Sequence, residues 1–266
     1  MLHGAAATAP DRRIRTATGA IQQWTFGIRR PTLLQPMKRV LITGASRGIG
    51  RAITEKLAAP DVELLLHGRD NVALNEVCQL VKRAAGNVFR LSFDLATKEG
   101  LARLIEMVGP APLTVLVNNA GVAVVKPYAE VTGTEWEQTM GVNVTAPFML
   151  MQHFAPRMAP GSAIVNILSV AAKNVWPNWS VYCASKFALD GLSMAIREEL
   201  REHKVRVINV YPAATNTDIW NTVSGEWPRE RMMSAAHVAD AVAFAISQPP
   251  DVAIENITLS NTSGAL

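Results

Sequence analysis

Two cysteines in 266 residues, Cys78 and Cys183, are too few for a disulfide framework and fit a reducing, cytoplasmic compartment. No cysteine and histidine cluster has metal-ligand spacing, so neither a disulfide nor a bound metal is expected. No apolar run approaches the ~18 residues of a membrane-spanning helix. Excess charge is missing from most of the chain as well. The formal net charge is +4, but residues 1–36 carry Arg12, Arg13, Arg15, Arg29 and Arg30 against Asp11 alone, which leaves residues 37–266 neutral. A neutral body offers no basic stripe to a nucleic acid. Internal repeats and low-complexity tracts are also lacking.

What is present is 49% apolar and 18% charged residues, a globular composition leaning apolar, as expected where strands are buried on both faces. The length suits one α/β domain with a large core. Residues 1–36 show no sustained period and end among Pro31 and Pro36. They are Arg-rich and acid-poor like an organelle transit peptide, but without amphipathic periodicity; the favoured reading is an addition upstream of a natural start at Met37. They can bury little, so the expectation is a disordered or loosely docked extension before a domain at 37–266.

From Met37 the pattern is regular. Short apolar strands are expected at 38–42, 62–66, 88–93, 113–117, 163–168, 205–210 and 254–259, alternating with helices at 49–59, 70–85, 101–108, 134–158, about 180–203 and 235–247. Such alternation predicts a doubly wound parallel sheet of seven strands with helices on both faces. Residues 211–233 lack periodicity, and a loop this long in a compact domain is usually a lid or binding segment.

The first strand is followed by Thr43-Gly44-Ala45-Ser46-Arg47-Gly48-Ile49-Gly50 and then a helix. At that place in an open parallel sheet, glycines let the backbone approach a pyrophosphate, and N–H groups at the helix N-terminus favour the anion. Farther on, Tyr182 and Lys186 are four apart on one helix face, a phenol beside an ammonium that can stabilise its phenolate. An ordinary surface pair has the same spacing, so the motif gains weight only from its company.

That company is Asn118-Asn119-Ala120-Gly121 after the fourth strand, Asn143, and Ser169 thirteen residues before Tyr182. With the glycine turn, these motifs stand in the order and at spacings similar to those of the short-chain dehydrogenase/reductase family, over about residues 37–260. The resemblance implies that Tyr182 protonates a carbonyl oxygen as hydride arrives from a nicotinamide, or removes the hydroxyl proton in reverse. Ser169 would hydrogen-bond the same oxygen, Lys186 would lower the phenol pKa and hold the nicotinamide ribose, and Asn143 would fix a water on the proton path.

The resemblance also implies a dinucleotide site at Gly44, Ser46, Arg47, Gly48, Ile49, Gly50, Arg69, Asp94, Leu95, Asn118, Ala120, Gly121, Tyr182, Lys186, Pro212, Thr215 and Thr217. The family position for an NAD-binding carboxylate is Gly68, followed by Arg69, with Arg47 projecting from the glycine turn. Arginines there favour NADP(H) over NAD(H). Asp70 falls where the general fingerprint seeks an acid, but reads as the cap of the next helix. The usual Pro-Gly after the sixth strand is Pro212-Ala213, which requires either that no positive φ is needed or that strain is tolerated.

Val175, Trp176, Trp179, Trp220 and Trp227, with Met232 and Met233, are the candidate substrate wall. They suit an apolar ketone, aldehyde or alcohol, although packing explains any one of them equally well. Two alternatives stay open: reduction of a carrier-bound 3-oxoacyl group, and a dinucleotide-binding sensor or scaffold without turnover. By resemblance, the long helices near 134–158 and 180–203 would pair subunits into a homodimer or homotetramer.

Overall fold

Strands β1 (Lys38–Ile42), β2 (Val62–His67), β3 (Asn87–Leu91), β4 (Val115–Asn118), β5 (Ala163–Ile167), β6 (Arg206–Pro212) and β7 (Asn256–Leu259) form one sheet in the order β3-β2-β1-β4-β5-β6-β7. Every pairing is parallel. The computed structural model describes residues 37–223 and 225–262; the extension expected at 1–36 lies outside them.

Alternation along the strands sets the layers. Val40 and Ile42 point into a core shared with α1 (Gly48–Leu57), α2 (Asn71–Val81) and α7 (Ala235–Ile246), whereas Leu41 points into a second core with α3 (Lys98–Val108), α5 (Ala146–Phe154) and α6 (Ser180–Leu200). Both faces of β4 and β5 are buried throughout, which explains their nearly continuous apolar sequence.

The strand order turns at β1, whose neighbours are β2 on one side and β4 on the other. Chains leaving the C-terminal ends of β1 and β4 therefore diverge and leave a crevice, the usual ligand position in such sheets. Beside it, Asn118, Asn166, Asn209 and Asn256 stand in register across four strands. Asn118 Nδ2 donates to Asn166 Oδ1 at 2.9 Å and Asn166 Nδ2 to Asn209 Oδ1 at 3.3 Å. Asp190 of α6 accepts from Asn209 and, at 2.6 Å, from the Tyr211 hydroxyl. Buried polar chains of this kind hold strand register because each member is costly to leave unpaired.

One expected helix is broken. In place of a continuous run over 134–158, α4 (Gly133–Met140) passes through a π-turn at Gly141–Thr145 into α5, then a 3-10 turn at Ala155–Arg157. The π-turn coincides with Asn143, whose side chain clamps the Val122 backbone in both directions, donating and accepting at 2.9 Å. Apolar periodicity does not register a one-residue insertion of this sort. Asp70 caps α2 as expected, its Oδ1 accepting from Val72 and Ala73 N–H groups at 3.0 and 3.1 Å.

Candidate active site

A single cleft of about 980 Å³ runs along the C-terminal ends of the strands, from the glycine turn to the segment after β6. At one end lies the N-terminus of α1. Arg47 occupies its N-cap position in extended conformation with no side-chain cap bond, so the first amides of the helix face the cleft without a side-chain acceptor. Gly44 and Gly48 have φ of +66° and +55°, which side-chain-bearing residues rarely adopt. A concave turn of N–H groups with the positive helix end behind it fits a pyrophosphate.

Gly50 has a different part from the one expected. It does not line the cleft; a Cβ there would sit 2.1 Å from the Gly44 carbonyl oxygen and 2.4 Å from Asn119 Nδ2. Its bare backbone lets α1 press against the turn, and Asn119 ties the turn down by donating to Thr43 O at 2.9 Å and Gly44 O at 3.0 Å. Asn119 was not among the expected cofactor residues, whereas Asn118 was and is buried in the asparagine row away from the cleft. The two exchange places because strand alternation turns the first side chain into the sheet.

Farther along the same end, Arg47 and Arg69 are exposed on the cleft wall. A Cβ at Gly68 would lie 3.2 Å from the Ser46 side chain, a tight contact that a side chain there would relieve by moving Ser46 a few tenths of an ångström. Asp94 and Leu95 line the cleft, Asp94 Oδ1 accepting from Ala96 N–H at 3.0 Å. His67 is a lining residue that the periodicity hid as the last residue of a buried strand. Its Nε2 lies 3.0 Å from the Phe93 carbonyl and so carries the proton, and burial lowers its pKa to about 4, keeping the ring neutral.

The chemistry sits at the middle. Tyr182 and Lys186 project from the first turns of α6, with Lys186 Nζ 5.6 Å from the Tyr182 ring centroid and donating to Ile167 O at 3.0 Å. Ser169 leaves β5 at the start of a 3-10 turn, its Oγ accepting from Ala171 N–H at 3.1 Å. Burial pushes the Tyr182 phenol up to about 12, against the opposing effect of a hydrogen bond with Ser169, and pushes Lys186 down to about 8. Desolvation is the largest influence on the phenol, and the Lys186 ammonium lies over its ring while donating to a carbonyl.

Asn143 is buried behind this group and does not line the cleft. Besides holding Val122 it donates to Ser185 Oγ at 2.9 Å, and Ser185 in turn donates to the Tyr182 carbonyl at 2.7 Å. Both Nδ2 hydrogens are thereby used, so a water could meet only its oxygens.

Ala120, Gly121, Pro212, Thr215 and Thr217 all line the cleft. Ala213 has no positive φ, which settles why alanine is accommodated after Pro212. Trp176, Trp179, Trp220 and Trp227 converge on the far end. Val175 does not: it is 70% exposed and outside the cleft. Met232 and Met233 are buried away from it, Met233 N–H donating to Ala214 O at 3.0 Å. The segment after β6 is not shapeless but holds two 3-10 turns, Asp218–Asn221 and Arg229–Arg231.

Comparison with known proteins agrees with this geometry. Human L-xylulose reductase is 34% identical over 224 residues, covering 79% of this chain and 89% of the relative. A metagenomic short-chain oxidoreductase solved in complex with NADP is 31% identical, with a TM-score of 0.72 over 85% of this chain and 99% of that one. The landomycin C-6 ketoreductase solved with NADP and rabelomycin is likewise 31% identical, with a TM-score of 0.72 over 84% and 95% of the two chains. Residues 38–227 match the profile of the short chain dehydrogenases, and the chain is an oxidoreductase belonging to that family.

Proposed function

We propose that this oxidoreductase interconverts a ketone or aldehyde and its alcohol using NADP(H), with Tyr182 as the acid and base. The observation that carries the reading is one continuous cleft joining an anion-binding turn flanked by Arg47 and Arg69 to a Ser169–Tyr182–Lys186 cluster.

The residues divide the work as follows. The α1 amides and Gly44–Gly48 would hold the pyrophosphate, and Arg47 and Arg69 would hold the ribose phosphate that distinguishes NADP(H). Gly68 leaves no carboxylate to repel that phosphate, and Asp70 is engaged as the α2 cap. When bound, the nicotinamide supplies or accepts hydride. Tyr182, with its pKa near 12, remains protonated across the neutral range and gives its proton to the carbonyl oxygen, while Ser169 orients that oxygen. Lys186, an ammonium below about pH 8, offsets the phenolate left behind. Asn143 is a positioning residue, acting through Val122 and Ser185.

The carrier-bound 3-oxoacyl alternative is less well supported. Arg229, the cation best placed near the substrate segment, is spent on Asn216, Asn221 and the Thr217 carbonyl. Exposed Phe187 and Met194 on α6 and Trp136 on α4 support self-association through that face. The test of the central role is Tyr182→Phe, which should lose turnover by several orders of magnitude yet still bind NADPH, since only a hydroxyl leaves. Activity within tenfold of the parent would exclude Tyr182 as the proton donor.

A further inference from the structure

The far end of the cleft carries information about what the enzyme reduces. Trp179 stands edge-on to three rings: Tyr182 at 5.6 Å between centroids and 69° between planes, Trp220 at 5.9 Å and 66°, and Trp227 at 6.0 Å and 76°. Trp220 and Trp227 are 4.7 Å apart. Three indoles from two separate chain segments thus form one cluster, which meets the proton donor's own ring through Trp179.

The segment presenting two of them is fastened. Trp220 Nε1 donates to Thr215 O at 2.9 Å, Arg229 binds Asn216, Asn221 and Thr217 O, and Thr215 pairs with Met233. The rings therefore form a shaped wall. Two polar lining groups near the wall are already engaged. Glu135 is held by Lys126 and by the backbone and side chain of Thr132, and Thr222 donates to Ile219 O. Three lining side chains have a buried polar atom without a partner among the described residues, His67 Nδ1, Thr139 Oγ1 and Trp227 Nε1, and of these Trp227 Nε1 belongs to the indole wall.

We propose that the substrate is a ring-bearing carbonyl compound, aryl or fused-ring, that carries a second oxygen acceptor remote from the reacting carbonyl. The flat ring lies against the Trp179–Trp220–Trp227 wall with its carbonyl at Tyr182 and Ser169, and the remote oxygen accepts from Trp227 Nε1–H. An open-chain polyhydroxy ketone, the kind of substrate named for L-xylulose reductase, would bring several hydroxyls to indole faces that cannot bond them, and each would lose its water partners. A ring and one acceptor match what the wall offers: offset or edge contacts between π-systems and one unsatisfied donor. This inference rests on the carbonyl-reductase reading of the cleft.

The test uses the full chain with NADPH and four ketones: 1-tetralone, 6-methoxy-1-tetralone, 2-decanone and L-xylulose. The expected order of kcat/KM is methoxytetralone, tetralone, decanone, xylulose, with the ring ketones about tenfold or more above decanone of equal carbon number. In Trp227→Phe, which keeps a ring but removes the N–H, the ratio of kcat/KM for methoxytetralone to that for tetralone should fall to about one, whatever change the two ketones share. Titration calorimetry of the same ketones on the NADP⁺-loaded protein reads binding without turnover, and circular dichroism checks the variant's fold. Preference for decanone or xylulose in both assays overturns the inference and leaves the reductase reading standing, as does a methoxy advantage that survives in Trp227→Phe. Ring-ketone binding with no reduction of any ketone would instead uphold the wall and overturn the reductase reading.

Discussion

The two ends of the cleft are built by different means. The glycine-turn end is made almost entirely of backbone: helix amides, two positive-φ glycines and an asparagine that ties down two carbonyls, all within one strand–turn–helix unit and its neighbour β4. The tryptophan end is made of side chains from segments about forty residues apart in the chain, held by Arg229 and the Thr215–Met233 pairing. The first construction suits a part common to every dinucleotide and leaves little room for added bulk. The second can vary side chain by side chain, which is how one scaffold serves different substrates.

The sharpest way to break that contrast is Gly50→Ala. Its Cβ would lie 2.1 Å from Gly44 O, an overpacking that must move the turn and costs about 1–3 kcal/mol, up to about a hundredfold in NADPH affinity. Fluorescence titration with NADPH checks it. Since Gly50 touches nothing at the tryptophan end, near-ultraviolet circular dichroism from the indole cluster should be preserved.

A smaller effect belongs to the catalytic middle. Lys186, lowered to about 8 by burial, loses its positive charge as pH rises through that value, while Tyr182 near 12 keeps its proton. The reductive kcat/KM should thus be level below pH 7 and decline above about 8, by up to tenfold per unit; in Lys186→Arg, which stays charged, the decline should disappear. A rate that rises through pH 8 would mean that a deprotonated group drives reduction.

Least is expected from Asp70→Ala, which removes the α2 cap at the rim of the cofactor end. Loss of such a cap costs about 0.5–2 kcal/mol, a fall of about 1–8 °C in Tm, with NADPH affinity nearly unchanged. If NADPH affinity fell as far as it does on losing an arginine, Asp70 would be a cofactor contact and not only a cap.

The same contrast governs what the sequence revealed. The seven strands and the glycine turn were readable because they follow local rules of alternation, glycine placement and capping. Gly50 and Asn118 were placed in the right region but on the wrong surface, since a motif does not record which way each side chain turns within it. The π-turn at Gly141–Thr145 escaped because its cause, the Asn143–Val122 clamp, is a tertiary contact. At the tryptophan end the composition hinted at an aromatic wall, yet Val175 turned outward and the two methionines inward, because no period relates residues in an irregular segment.

The account's central claim, that arginines at the cofactor end fix NADP(H) for a carbonyl reductase, is tested most directly by steady-state kcat/KM for NADPH and NADH in the parent and in Arg69→Ala. The account predicts that the parent prefers NADPH, and that the variant loses about ten- to a hundredfold with NADPH and little with NADH, since only NADPH carries the phosphate that Arg69 is proposed to meet. Equal losses with the two cofactors, or a parent that prefers NADH, would contradict it.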